Sequence, residues 1–301
     1  MDTDGRGGTR CGFVAIVGRP NVGKSTLLNH LVGQKVSITS SKPQTTRHRV
    51  IGIKTTGGAQ AVYVDTPGLH GGKGRAIDRA MSRAALGALQ EVDLVVFVVE
   101  ALRWSKDDAL VADRLRDLHV PVIVAVNKVD RVQRKEDLLP YLAELGTRGS
   151  FAEVIPVSAR AGLQLDVLER EVGRRLPESA PLFSEDQVTD RSERFLAGEI
   201  IREKLMRRLG QEVPYRLTVE IERFSEEGAT TTIDAVIWVE KPGQKAIVIG
   251  AEGKMLKAVG SEARADIERM LEKRVHLGLW VKVREGWSDD DRALRQLGYD
   301  G

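Results

Sequence analysis

Cysteine occurs once in the 301 residues, at Cys11. A lone thiol excludes an intramolecular disulfide framework and any structural zinc site built on cysteine, and it fits a reducing compartment. Long apolar runs are also missing. The longest, Leu94 to Val99 and Val120 to Val126, have strand length and fall far short of the roughly 20 residues a membrane helix needs. No transmembrane segment is expected. Residues 1–10 carry glycines and acids without an apolar centre, so they read as a disordered tail and not as a signal peptide. The formal net charge is only +3, which by itself argues neither for nor against a polyanionic partner.

What is present suits two globular domains: 42 % hydrophobic and 30 % charged residues, at roughly 150 residues per domain. Up to about Leu176, short Val/Ile-rich runs alternate with amphipathic stretches, the rhythm of strand-helix units around a mostly parallel sheet. The runs are Phe13–Val17, Arg49–Thr55, Ala61–Val64, Leu94–Val99, Val122–Val126 and Val154–Val157. Thr56-Gly57-Gly58 is a turn of hairpin length, so the second and third runs are expected to pair antiparallel. Residues 179–190 hold acids, no base and neither period, and read as a linker. Beyond it a helix, two alternating strands, a short helix pair, a longer helix and a last strand define a second domain over 191–301. The basic excess sits in the first domain, the linker is acidic, and the second domain is balanced, with lysines gathered between Lys241 and Lys257.

Gly18, Arg19, Pro20, Asn21, Val22, Gly23, Lys24 and Ser25 match GxxxxGK[ST] between a strand and a helix that continues through Thr26. Glycines let the backbone curl round phosphates, with N–H groups and the helix N-terminus facing the anion. Lys24 reaches the outer phosphates and Ser25 offers a hydroxyl to Mg²⁺. Asp65, Thr66, Pro67 and Gly68 end a strand, where the carboxylate can hold Mg²⁺ through water and the Gly68 N–H can meet a γ-phosphate. Asn127, Lys128 and Asp130 follow another strand: the Asp130 carboxylate can accept from guanine N1–H and the 2-amino group, Asn127 can bond the purine edge, and the Lys128 stem can cover the ring.

These elements in this order resemble the TRAFAC-class GTPases of translation and ribosome assembly. The resemblance implies that Ser158, Ala159 and Arg160 form the last guanine-side loop, with the Ala159 N–H on the base. It also implies that Gln44-Thr45-Thr46-Arg47 is the first switch, with Thr46 preferred as second Mg²⁺ ligand and Thr45 left open. Leu69 stands where many GTPases carry a water-orienting glutamine, and Asn21 matches the potassium-dependent members, so K⁺ is an expected further cation. Lys24, Asn21, Thr46 and Gly68 are the expected catalytic set.

In the second half, Ile249-Gly250-Ala251-Glu252-Gly253-Lys254 carries a GxxG turn inside a basic stretch that includes Lys245 and Lys257. KH domains clamp single-stranded backbone with such a loop. Glu252 departs from the basic residue often found there. The element order resembles a type II KH domain, and the two halves together resemble the Era family of GTPases. The implied fold is α/β: a P-loop NTPase three-layer α/β/α G domain over 11–178, then a smaller α+β type II KH domain over 191–301. The implied function is that of a GTP/GDP switch that binds the 3′ end of 16S rRNA and assists maturation of the 30S subunit. A cytoplasmic monomer is implied, and association with the inner membrane surface is compatible with it. The alternatives are an RNA-binding adaptor in which nucleotide is mainly structural, and a tRNA-modifying GTPase relative, whose C-terminal cysteine motif is missing. Among other residues, Trp280 reads as core, Trp287 is balanced between core and base stacking, and the charged helix 191–209 reads as solvated.

Overall fold

The computed structural model describes residues 9–67, 76–89, 91–210, 212–297 and 299. Two compact units are defined: Met1–Ser37, Thr46–Gly71 and Ser82–Asp190 form the first, and Ile38–Thr45, Gly72–Met81 and Arg191–Gly301 the second. This division departs from the expected contiguous domains. The segments 38–45 and 72–81 go with the second unit, and residues 179–190 belong to the first. Residues 1–8 of the expected tail lie outside the described residues, whereas Thr9 and Arg10 are paired to Ser179 and Gly58.

The first unit runs β1 (Arg10–Val17), α1 (Lys24–Val32), β2 (Val50–Thr56), β3 (Ala59–Asp65), α2 (Ala76–Gly87), β4 (Leu94–Glu100), α3 (Lys106–Leu115), β5 (Val122–Asn127), α4 (Leu138–Gly146), β6 (Glu153–Pro156) and α5 (Leu165–Arg175). Only the first half of α2 belongs to the second unit. The sheet order is β2-β3-β1-β4-β5-β6. All pairs are parallel except β2 with β3, whose Gly57-Gly58 turn adopts positive φ at both positions, as a tight hairpin requires. Central strands such as β4 are apolar on both faces because helices cover both. Each crossover returns the chain so that β1, β3 and β5 end at one edge of the sheet, where ligands of such folds bind.

The acidic segment before residue 190 is not a free linker. Gln60 Oε1 accepts the Leu182 and Phe183 N–H groups at 2.8 and 3.0 Å, Ile53 N–H donates to the Val188 carbonyl, and Thr189 Oγ1 donates to the Ile51 carbonyl at 2.7 Å. The segment's backbone groups therefore find partners on the edge hairpin, which also covers an otherwise open sheet edge.

The second unit contains α6 (Glu193–Arg208), β7 (Leu217–Glu227), β8 (Thr230–Val239), α7 (Pro242–Ile249), α8 (Lys254–Leu271), β9 (Arg274–Val283) and α9 (Asp291–Gln296). Its sheet is β7-β8-β9, antiparallel then parallel. Ile233, Ala235, Ile237, Val275 and Val281 join Ile201, Val259 and Ile267 of the helices in one core. Period-two alternation sends Trp280, beside Val281, to the opposite face, where it is 49 % exposed, so it is not a core residue. Trp287 instead packs with Ala76, Ile77, Leu294 and Tyr299 and is 1 % exposed.

The solvated reading of α6 is also corrected. Arg202, Glu203 and Lys204 are buried, and each has found partners. Arg202 is bonded to Glu199 and the Thr45 carbonyl, Lys204 to Asp266, and Glu203 accepts the N–H and hydroxyl of Thr39 at 2.8 and 3.2 Å. Buried charge survives only when paired in this way, and removing one partner of such a pair costs about 3–5 kcal/mol.

Candidate nucleotide and RNA sites

The loop after β1 is shaped by two close approaches. A Cβ on Gly18 would lie 2.4 Å from the Val98 carbonyl oxygen, and one on Gly23 2.3 Å from Asn127 Nδ2. Gly23 has φ +106 and Asn21 φ +64, so the backbone curls and opens α1 with its N–H groups facing outward from the helix start. Lys24 donates to the Gly18 and Arg19 carbonyls at 3.0 and 3.1 Å. Its burial lowers the ammonium pKa to about 8, even with Asp65 nearby.

Asp65, the last residue of β3, is fully buried. Its Oδ2 accepts from Ser25 at 2.8 Å, Ser37 at 2.9 Å and Thr46 at 3.3 Å, and Ser25 Oγ lies 2.9 Å from Thr46 Oγ1. Oδ1 has no hydrogen-bond partner among the described residues, and burial raises the carboxyl pKa. Two hydroxyls and a carboxylate from three separate segments form the hard-oxygen donor set that Mg²⁺ takes. Thr45 is elsewhere, donating to the Lys42 carbonyl at 2.7 Å, so Thr46 is the threonine placed at this cluster. Thr66 Oγ1 donates to the Ile16 carbonyl and Pro67 is buried beside it. Gly68 and Leu69 lie outside the described residues.

On the base side, Asn127 braces the surrounding loops with its amide, and the second N–H of Nδ2 is not used in that brace. Nδ2 donates to the Val22 carbonyl at 2.8 Å, while Oδ1 accepts from the Lys128 and Ala159 N–H groups at 2.8 and 2.9 Å. Asn127 thus ties the phosphate loop to both base-side loops, and the Ala159 N–H is spent on it. Ser158 Oγ donates to Asp130 Oδ1 at 2.6 Å and orients the carboxylate, with the exposed Arg160 close by in the chain.

The Arg19 guanidinium is held between two carboxylates. Nη2 donates to Glu100 Oε2 at 2.7 Å and Nε to Asp108 Oδ2 at 3.1 Å, while Lys128 Nζ is 3.2 Å from Glu100 Oε1. Burial would raise the Glu100 pKa, but the hydrogen bonds from Arg19 and Lys128 outweigh it and hold the carboxyl below the ordinary glutamate value. Ser37, Glu100 and Asp108 were not singled out in the sequence. The one available signal was that Glu100 ends a buried strand at the same sheet edge as Asp65 and Asn127.

In the second unit, α7 ends in a turn where Gly250 has φ +74 and a Cβ would lie 2.6 Å from Met255 Cβ. Gly253, φ +73, opens α8 with clear space around it. Glu252 is also left-handed, φ +52, and its Oε2 lies 2.9 Å from Lys254 Nζ. Both groups are largely exposed, so the pair adds little stability but offsets the charge of the loop's own lysine. Lys245, Ala251 and Lys257 are exposed around it, and Ile249 is half-buried against the core.

Comparison with known proteins agrees with this geometry. A family model described as 50S ribosome-binding GTPase matches residues 13–128, and a KH domain model matches 212–288. The fold and site define a P-loop GTPase joined to a KH domain. GTPase Era of Pseudomonas aeruginosa is 57 % identical over 299 residues, 99 % of this chain and 98 % of its own, and that of Marinobacter nauticus is 57 % identical over 96 % and 95 %. The chain belongs to the GTPase Era family, and it is a GTP-hydrolysing enzyme. Two solved structures superpose with TM-score 0.93 at 38 % identity, covering 97 % of this chain and 100 % of theirs: an Aquifex aeolicus Era variant bound to GDP·AlF4⁻, and Era with MgGDPNP and nucleotides 1506–1542 of 16S ribosomal RNA.

Replacing Asp130 with Asn tests the base-reading assignment. The amide puts donors where guanine also has donors, so GDP affinity measured by calorimetry should fall at least about a hundredfold and XDP should become the preferred diphosphate. Unchanged GDP binding would remove Asp130 from base recognition.

Proposed function

We propose that this chain is a guanine-nucleotide switch that acts on the 3′ end of small-subunit rRNA during 30S maturation, as a cytoplasmic monomer. The convergence of Ser25, Thr46 and Asp65 carries the reading, because a buried carboxylate flanked by two hydroxyls at the end of a phosphate loop is built to meet a Mg²⁺–phosphate pair. Mg²⁺ would supply charge neutralisation at the β- and γ-phosphates. The Gly18–Ser25 backbone and Lys24 bind the phosphates, Gly68 meets the γ-phosphate, and Asp130 with the Lys128 stem reads the base.

Asn21, exposed and left-handed in the phosphate loop, is assigned to a monovalent cation that offsets charge developing in phosphoryl transfer. The loop from Gly250 to Gly253 with Lys245, Lys254 and Lys257 is assigned to the RNA backbone, with Ile249 beneath it. The RNA complex of the 38 % identical Era supports the partner. Nucleotide can change RNA affinity only if RNA binds the two nucleotide states unequally.

Two measurements follow. A labelled oligonucleotide of the 16S rRNA 3′ end should bind with different affinity in the GTP-analogue and GDP states, and Gly253→Asp should lose that binding while GTP hydrolysis persists; equal affinity in both states contradicts the switch. GTP turnover should be faster in potassium than in sodium, and equal rates would take the cation role away from Asn21.

A further inference from the structure

We infer that Glu100 is a positioning residue for guanine-nucleotide binding: one carboxylate that fixes the base-covering Lys128 and the phosphate-loop Arg19 together. Glu100 is the last residue of β4 and stands opposite Asn127 in the β4–β5 register. Its backbone is itself pinned, because the Glu100 carbonyl accepts from Tyr141 at 3.2 Å and the next N–H, of Ala101, donates to the Asn127 carbonyl at 2.8 Å. The side chain divides its oxygens between two loops, Oε2 to Arg19 at 2.7 Å and Oε1 to Lys128 at 3.2 Å. Arg19 is held on its other side by Asp108, which is fully buried and accepts from the Ser105 N–H and hydroxyl at 2.9 and 2.7 Å.

A lysine stem has four rotatable bonds, and freezing them over a purine ring is costly in side-chain entropy. Glu100 places the Lys128 ammonium at the sheet edge through a contact within the protein itself, so the stem is laid down beside the base-side loop, which is pre-organisation. Arg19 acts in the same sense on the phosphate side. Its carbonyl is one of the two that hold Lys24, so fixing its guanidinium fixes the loop that presents those carbonyls. Arg103 Nη1, at 3.9 Å from Glu100 and mostly exposed, is too loosely held to replace either partner.

This inference rests on the guanine-site reading, and the two fail separately: a wrong base assignment shows in Asp130→Asn, whereas the present claim is read from a cycle between Glu100 and Lys128 in the full-length chain. Glu100→Gln keeps the shape and one acceptor but removes the charge. Its KM for GTP should rise about tenfold with kcat within about twofold, the pattern of lost binding that is uniform between ground and transition states. In a Lys128→Met background, which keeps a stem without the ammonium, the same substitution should change KM less than about threefold. Glu100→Asp, one methylene short of both cations, gives a second reading should the glutamine variant not fold. An unchanged KM, an equal KM loss in both backgrounds, or a fall in kcat alone would overturn the assignment.

Discussion

A fully buried carboxylate, with one oxygen taken by three hydroxyls and the other without a hydrogen-bond partner among the described residues, is the constraint on which this nucleotide site depends. Asp65 cannot be left so without a compensating positive charge close at hand. Lys24 supplies part of it, although burial lowers the lysine's own pKa, and the donors Ser25, Ser37 and Thr46 supply hydrogen bonds. These groups satisfy the carboxylate only in part, and the proposed Mg²⁺ would complete it. The segment that carries Thr46 has no regular secondary structure, so its position is set by that meeting point and not by a helix or a strand.

The scaffold explains how three distant segments can share one point to within hydrogen-bond reach. Parallel strands joined by covering helices place β1, β3 and β5 in register with their carboxyl ends together, and the residues that follow each strand face the same cleft. Asn127 then stitches the ends across the sheet. Its amide bridges Val22 of the phosphate loop and Ala159 of the last loop, which makes it a structural brace whose loss would loosen phosphate and base recognition together. Glu100 is a second stitch in the same row, ionic where Asn127 is neutral.

The parts of the site that the sequence revealed were those where spacing encodes backbone shape. Gly18, Gly23, Lys24 and Ser25 are separated by fixed intervals because the loop must curl round an anion, and Asp65, Asn127 and Asp130 each end an apolar run that marks its own strand. Ser37 and Glu100 carry no such interval, and their partners are remote in the chain, 28 positions away for Ser37 and 81 between Arg19 and Glu100; Asp108 closes a capping box with Ser105, but its bond to Arg19 spans 89 positions. The same remoteness hid the buried charges of α6, whose partners include Thr39, Thr45 and Asp266. For Asn127 the sequence supplies a capacity for hydrogen bonds and not their directions, so its brace between the Val22 and Ala159 backbones was not legible. Trp280 was misplaced for a different reason: adjacency to Val281 in a strand argues for the opposite face.

Whether Thr46 and Asp65 belong to one cation site completed by the γ-phosphate is decided by calorimetric affinities for GDPNP and GDP, each with Mg²⁺, in the full-length chain and in Thr46→Ala. The substitution should weaken GDPNP binding at least about tenfold, the range of one lost charge-assisted contact, while GDP binding changes less than about threefold. Equal GDPNP affinity in the two proteins would contradict a shared site.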